Sequence, residues 1–314
     1  MIKTENLTKK FKTKQDTITA VEGLTLDIPE GEVFGFLGPN GAGKTTTVRM
    51  LSSLIGPTDG TATVNGFSLG KQDTEIRRSV GILTETPGMY DNLSAEYNMQ
   101  IYASLYEVKD PKGQIEKYLR LLGLWERRND AAGTFSKGMR QKLAIARALM
   151  HEPRTVFLDE PTAGLDPEAA HLVRDFILEI KKEGRTIFLC THNLDEADRL
   201  CDRIGVFKTH LLVVDTPAHL RSQVFGRKVV FHLRASEAVS FPALTNNLLD
   251  KLRPLSFVHE AHSMENKLLV TLDDPERYNP DLIRLLVNNG ADIQFVGELR
   301  HSLEDVYLQL VKNA

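Results

Sequence analysis

The sequence predicts an α/β protein built on a mainly parallel sheet, followed by a smaller α+β unit. Three observations carry that expectation. From Met1 to about Asp215, short β-rich runs alternate with longer helical patterns, as in a parallel sheet covered on both faces. Within this stretch a glycine-rich run, GPNGAGKT from Gly38 to Thr45, sits between a strand-like and a helix-like segment. From about Arg227 the pattern becomes strand, helix, strand, strand, helix, strand, the order of a split βαβ, ferredoxin-like unit.

Each element has its own warrant. Glu32-Val33-Phe34-Gly35-Phe36-Leu37 reads as a short buried strand, and Thr46 to Leu51 reads as the first turns of a helix. Further strands are expected at Thr61–Val64, Ser79–Leu83, Thr155–Leu158, Thr186–Leu189 and Arg203–Phe207, all rich in β-branched and aliphatic residues. Helical periodicity covers Ala95–Tyr106, Gln114–Leu122, Lys137–Met150 and Glu168–Lys182. In the second unit, strands are expected at Lys228–Arg234, Phe257–Ala261, Lys267–Leu272 and Asp292–Glu298. Helices are expected there at Pro242–Leu252, Asn279–Asn289 and Ser302–Val311. Thr216 to Gly226 reads as the linker between the units.

Composition excludes several classes. At 314 residues the chain is long enough for two domains, and 41% hydrophobic with 26% charged residues is ordinary for a soluble globular protein. Net charge is −3 with mixed signs, which gives no basic face for nucleic acid. No apolar run is long enough for a membrane helix, and MIKTENLTKKFKTKQ lacks the apolar segment of a signal peptide. Cys190 and Cys201 form no metal motif; Cys190 ends an apolar run and reads as a small core residue, with reduced thiols in the cytosol expected.

GPNGAGKT fits the phosphate-loop pattern G-x-x-x-x-G-K-[ST], in the strand–loop–helix context that pattern requires. Gly38, Gly41 and Gly43 allow the backbone to wrap a phosphate, with Pro39, Asn40, Ala42 and Thr46 completing the cradle. Loop N–H groups and the helix N-terminus then face the anion. Lys44 is expected to reach the β- and γ-phosphates, and Thr45 to place its hydroxyl on Mg²⁺. A second site is TVFLDEP, Thr155 to Pro161. Asp159, at the strand end, can hold Mg²⁺ with Thr45, and Glu160 is placed to polarise an attacking water. A third run, TFSKGMRQK from Thr134 to Lys142, opens a helix with Ser136 as N-cap. Lys137, Arg140 and Lys142 crowd its first turns against the helix dipole; taken alone they read as solvated surface charges, and an anion bound there would give them a further reason.

With these three runs in order, the chain resembles the nucleotide-binding subunits of ABC transporters. FSKGMRQK resembles that family's signature motif, Ala163-Gly164-Leu165-Asp166 its D-loop, and His192, following RTIFLCT, its switch histidine at the γ-phosphate. Phe11 stands where the family places an aromatic that stacks on adenine. The resemblance spans essentially residues 2–215 and departs in two places. The glutamine expected in GILTETPGMY is Glu85, which could still approach Mg²⁺ or the water. In the signature, Lys137 replaces a glycine and Met139 a glutamine. These variations, and the tail HSLEDVYLQL, resemble the daunorubicin-type antibiotic-exporter branch.

The resemblance implies an ATPase domain over 1–215 with a helical subdomain at about 86–150, a linker at 216–226, and an accessory domain at 227–314. It implies ATP and Mg²⁺ as cofactors. Lys44, Glu160, His192 and Glu85 would act in catalysis, with Thr45, Asp159 and Glu85 at the metal. Ser136, Lys137 and Gly138 of a facing copy would complete an ATP-sandwich homodimer. A separate transmembrane permease would grip the segment from Thr86 to Tyr90, placing the chain on the cytoplasmic face of the membrane. Two other classes fit less well. A soluble ATPase acting on nucleic acid would need long heptad insertions or two cassettes per chain, and a non-hydrolysing scaffold or regulator would not need both Glu160 and His192.

Overall fold

The computed structural model describes all residues except 15, 85–87, 235–240, 300 and 313–314, and the backbone alone of 241–243. The chain divides into two compact units, Met1–Pro217 and Ala218–Asn313.

The first unit contains strands β1 (Ile2–Lys12), β2 (Thr17–Ile28), β3 (Val33–Leu37), β4 (Asp59–Val64), β5 (Phe67–Ser68), β6 (Val80–Leu83), β7 (Thr155–Asp159), β8 (Thr186–Thr191), β9 (Arg203–Lys208) and β10 (His210–Asp215). Its helices are α1 (Lys44–Leu51), α2 (Asp73–Ser79), α3 (Ala95–Leu105), α4 (Pro111–Leu121), α5 (Lys137–Leu149), α6 (Pro167–Lys182) and α7 (Leu194–Leu200). Six strands form one sheet in the order β10-β9-β3-β8-β7-β6, parallel except for the edge strand β10. β3, β7 and β8 are buried on both faces, which is why they read as unbroken apolar runs.

The alternating pattern expected from Met1 onward meets a correction here. β2, β1, β4 and β5 form a separate antiparallel sheet. The connections decide this: four residues join β1 to β2 and two join β4 to β5, far short of the dozen a parallel crossover needs. One core spans both sheets. Phe36 packs on Phe188 (5.1 Å between ring centroids) and Phe207 (4.6 Å), and the same cluster takes in Ile2, Leu24, Ile28 and Val64 from the antiparallel sheet. Each buried aromatic contributes roughly 1.5–3 kcal/mol.

Helix starts are set by side-chain caps. Ser94, Asp110, Ser136, Asp166 and Asn193 accept backbone N–H groups at the starts of α3, α4, α5, α6 and α7. Three of these caps belong to or adjoin motif residues: Ser136 lies in FSKGMRQK, Asp166 closes the AGLD run, and Asn193 follows His192. Among the described residues no helix is long and apolar enough to cross a membrane.

The second unit contains α8 (Pro217–Phe225, beginning at the boundary), β11 (Arg227–Leu233), α9 (Phe241–Leu252), β12 (Val258–Met264), β13 (Lys267–Leu272), α10 (Pro275–Asn288), β14 (Ile293–Leu299) and α11 (Leu303–Lys312). Its antiparallel sheet runs β12-β13-β11-β14, so β12 is split from β11 by β13. Val229, Phe231, Leu248, Val270, Leu282 and Leu286 lie in its separate core. The segment read as a linker, 216–226, is instead helical over Pro217–Phe225. Pro217 suits a first helical position, and Leu220, four residues before Val224, is buried.

Candidate functional site

The phosphate loop lies between β3 and α1, at the carboxyl end of a central parallel strand. Its path needs glycine at two closely approached positions. Gly43 has φ +107°, and a Cβ there would overlap the Ala20 carbonyl oxygen; at Gly38 a Cβ would overlap that of Phe207. The buried Lys44 ammonium is held by the loop itself, donating to Gly38 O (2.6 Å) and Pro39 O (3.3 Å).

Two further strands bring their ends to the same place. Asp159 ends β7, and its Oδ2 accepts from the Thr45 hydroxyl at 2.8 Å. Glu160 follows with φ +50°, a left-handed conformation that costs a non-glycine residue of order 1 kcal/mol or more. Its N–H donates to Cys190 O at 2.9 Å, across to β8. Glu160 Oε1 lies 2.7 Å from His192 Nδ1, so a ring protonated at Nδ1 donates to the carboxylate. The Glu160 side chain is mostly buried while that of His192 is mostly exposed.

These groups line one cavity of about 370 Å³, which includes Pro39, Gly41, Lys44, Thr45, Asp159, Glu160 and His192. Asn40, Gly43 and Thr46 line it as well, while Gly38 is not among the lining residues and accepts from the Lys44 ammonium. Ala42 is buried behind the loop. The chemistry is coherent: glycine N–H groups and an ammonium suit a polyphosphate, and a hydroxyl beside a carboxylate is a hard-oxygen pair suited to Mg²⁺. A carboxylate–imidazole pair can orient and deprotonate water.

Ser136, Lys137 and Gly138 are not among the residues lining this cavity. Ser136 caps α5 by accepting from Met139 N at 3.3 Å. The exposed Lys137 side chain lies against Gly164, its ammonium nitrogen and the carbons next to it approaching the position a Cβ would take there. Gln141, one turn on and buried, donates to Pro161 O at 3.0 Å, tying α5 to the loop after Glu160. Phe11 is 41% exposed at the end of β1, with the Lys9 ammonium 5.2 Å from its ring centroid, and does not line the cavity. Glu85 lies outside the described residues, as do Thr86 and Pro87. Tyr90 is half exposed, and its backbone is held at both N–H and C=O by the buried Asn98 side chain. His259 and His262 are exposed, and no group of three potential metal ligands occurs among the described residues.

Sequence reading missed two contributors. Ala20 lines the cavity but is chemically bland, so no residue-type signal marked it; Ala163, from the run likened to a D-loop, lines the cavity as well. Glu196 is a charged residue buried to 2% exposure behind Glu160; its burial four residues after His192 was readable only as helix periodicity. Burial pushes its carboxyl above the usual range, the charge of Glu160 adding to this, while nearby hydroxyls and Arg174 oppose without reversing it.

Comparison with known proteins accords with this geometry. The model of the ABC transporter family matches residues 21–163. The bacitracin transport ATP-binding protein BcrA of Bacillus licheniformis is 34% identical over 313 residues, covering 99% of this chain and 97% of that protein. The ABC transporter ATP-binding protein NatA of Bacillus subtilis is 42% identical over 208 residues, covering 65% of this chain and 84% of that protein. Among solved structures, a dimeric ATP-binding cassette in a post-hydrolysis state with ADP and Pi is 25% identical with a TM-score of 0.64, covering 69% of this chain and 98% of that one. The ATP-binding subunit of an ABC transporter is 30% identical with a TM-score of 0.64, covering 71% of this chain and 92% of that one.

Proposed function

The chain belongs to the ABC transporter family, and from that premise we propose that it is the ATP-hydrolysing subunit of an exporter for an antibiotic-class compound. It is an ATP-binding cassette, and hydrolysis is its activity. The observation that carries the residue assignment is the convergence of Lys44, the Thr45–Asp159 pair and the Glu160–His192 pair on one cavity. Relatives matched along their whole length are named for bacitracin transport and linearmycin resistance, which supports the cargo class.

Lys44 and the loop N–H groups bind the phosphates. Thr45 and Asp159 are the residues that would hold Mg²⁺, which supplies neutralisation of phosphate charge when bound. Glu160 orients the attacking water and takes its proton; His192 fixes the Glu160 carboxylate and faces the γ-phosphate. Ser136 and Gly138 act across the interface, on the nucleotide held by a second copy. ATP therefore favours a closed homodimer, and hydrolysis releases it. A separate permease docks at the segment around Tyr90, which holds the chain at the cytoplasmic face of the membrane.

The test is Glu160→Gln studied by light scattering and hydrolysis together. We expect a stable dimer with ATP in the variant and a loss of hydrolysis of about 100-fold or more. A variant that hydrolyses at the wild-type rate removes Glu160 as base. Co-purification of a polytopic membrane protein, lost on Tyr90→Glu, tests the docking segment.

A further inference from the structure

Behind Glu160 lies a second carboxylate that the hydrolytic scheme leaves unused. Thr191, the last residue of β8, is fully buried, and its hydroxyl oxygen lies 3.3 Å from Glu160 Oε2 and 3.1 Å from Glu196 Oε2. The same oxygen accepts the Asn193 N–H at 3.0 Å. A hydroxyl has one proton and two lone pairs, so it cannot donate to both carboxylates. With both acids ionised, one of these short contacts would be oxygen against oxygen. A proton on Glu196 resolves the count: Glu196 Oε2–H donates to Thr191 Oγ1, which also accepts from Asn193 and donates to Glu160 Oε2. Glu196 Oε1 makes no well-formed hydrogen bond among the described residues, a placement costly for an ion and tolerable for a neutral acid; the Thr162 hydroxyl nearby favours the ion without reversing the effect of burial. The charged groups facing Glu196 are Glu160, beyond Thr191, and Arg174 of α6.

We propose that Thr191 and a neutral Glu196 form a positioning relay that fixes the second oxygen of Glu160, while His192 fixes the first. The proposal rests on Glu160 as the group that holds the attacking water. Two anchors on one carboxylate explain how a residue in a strained backbone conformation keeps a single side-chain orientation. Glu196 and Thr191 are positioning residues: neither lines the cavity.

The test measures steady-state ATP hydrolysis and the affinity for a fluorescent ATP analogue in Thr191→Val, Thr191→Ser, Glu196→Leu, Glu196→Gln, the Thr191→Val/Glu196→Leu double variant and Glu160→Gln. Thr191→Val and Glu196→Leu should each lower kcat roughly 10- to 100-fold with nucleotide affinity held within about threefold. Thr191→Ser and Glu196→Gln, which keep a donor at each position, should stay near wild type. The double variant should be no worse than the weaker single, because both break one chain of bonds. Wild-type kcat in Thr191→Val or in Glu196→Leu, with Glu160→Gln inactive, overturns the relay and leaves the base in place. Losses that multiply in the double variant also overturn it. An active Glu160→Gln would instead refute the premise. Two variants at each position keep the test decisive if one fails to fold.

Discussion

The two ends of the nucleotide machinery are built differently. At the phosphate loop, side chains are fixed by a doubly buried sheet: Lys44 is bonded to loop carbonyls, Thr45 to Asp159, and Glu160 to His192. At the signature, α5 presents Lys137 exposed and Ser136 occupied with capping. Yet the opposite end of α5 is firmly moored. His151, two residues past the helix, bonds Val80 O of β6 at 3.0 Å through Nε2 and stacks on Tyr106 with centroids 3.9 Å apart. One end gathers its groups around a cavity within the chain, and the start of α5 stands outside that cavity. That asymmetry fits a site shared between two copies.

The sharpest way to break the contrast is Gly43→Ala. The left-handed φ and the Ala20 carbonyl leave no room for a methyl group, so the loop must open. Nucleotide affinity should fall roughly 1000-fold, about 4 kcal/mol, as read by titration with a fluorescent ATP analogue. A Ser136→Ala control should leave the same monomer affinity unchanged. Equal losses in both would mean that the signature belongs to the site of its own chain.

The mooring of α5 comes next in size. Burial lowers the His151 pKa to about 4, Arg185 adding to it and the Val80 hydrogen bond opposing. Its folded value lies below the ordinary 6.5, so its contribution is complete above pH 6.5 and is lost as pH falls toward 4. The shift corresponds to about 3 kcal/mol. The gap in unfolding free energy between wild type and His151→Phe should therefore move by about 3 kcal/mol toward the variant between pH 7 and pH 4. A pH-independent gap in urea unfolding would show that His151 is not buried neutral. Smaller again is Gln141→Leu, which strips the partner from Pro161 O and should cost about 1–3 kcal/mol. It should also lower hydrolysis, since it frees the loop after Glu160 from α5.

Most of the cavity lining at the phosphate loop was legible in the sequence because strand, glycine loop and acidic strand end each carry a residue-type signature. Lys44, Thr45, Asp159, Glu160 and His192 meet as the motif order implies. Phe11 does not reach the cavity, since an aromatic at a strand end looks alike whether it faces a ligand or solvent. The antiparallel sheet was missed although Asn65-Gly66, both at positive φ, is the strongest short hairpin signal. The apolar content of β4 alone gave it no direction. Glu196 was invisible for another reason. A glutamate in a short polar helix reads as surface, and only the packing of β8 behind Glu160 makes it a buried acid. The helix at Pro217–Phe225 was hidden because its buried residues are few, Pro217 and Leu220 among them, which leaves no periodic apolar face to read.

The mildest prediction separates the exposed tip from an ordinary surface. Lys137 is at the first position of α5, where a cation opposes the helix dipole by about 0.3–1 kcal/mol, and it makes no ion pair among the described residues. Lys137→Ala should therefore raise the stability of the isolated chain by a few tenths of a kcal/mol. If the ammonium meets phosphate across the dimer, the same change should lower hydrolysis about threefold and weaken ATP-driven dimerisation of Glu160→Gln. Stability and function then move in opposite directions, which a merely solvated lysine would not produce. A gain in stability with unchanged hydrolysis would confine the trans contact to Ser136 and Gly138. A loss of stability would mean that the packing of Lys137 on Gly164 outweighs the dipole, and the tip of α5 would then be held from within its own chain.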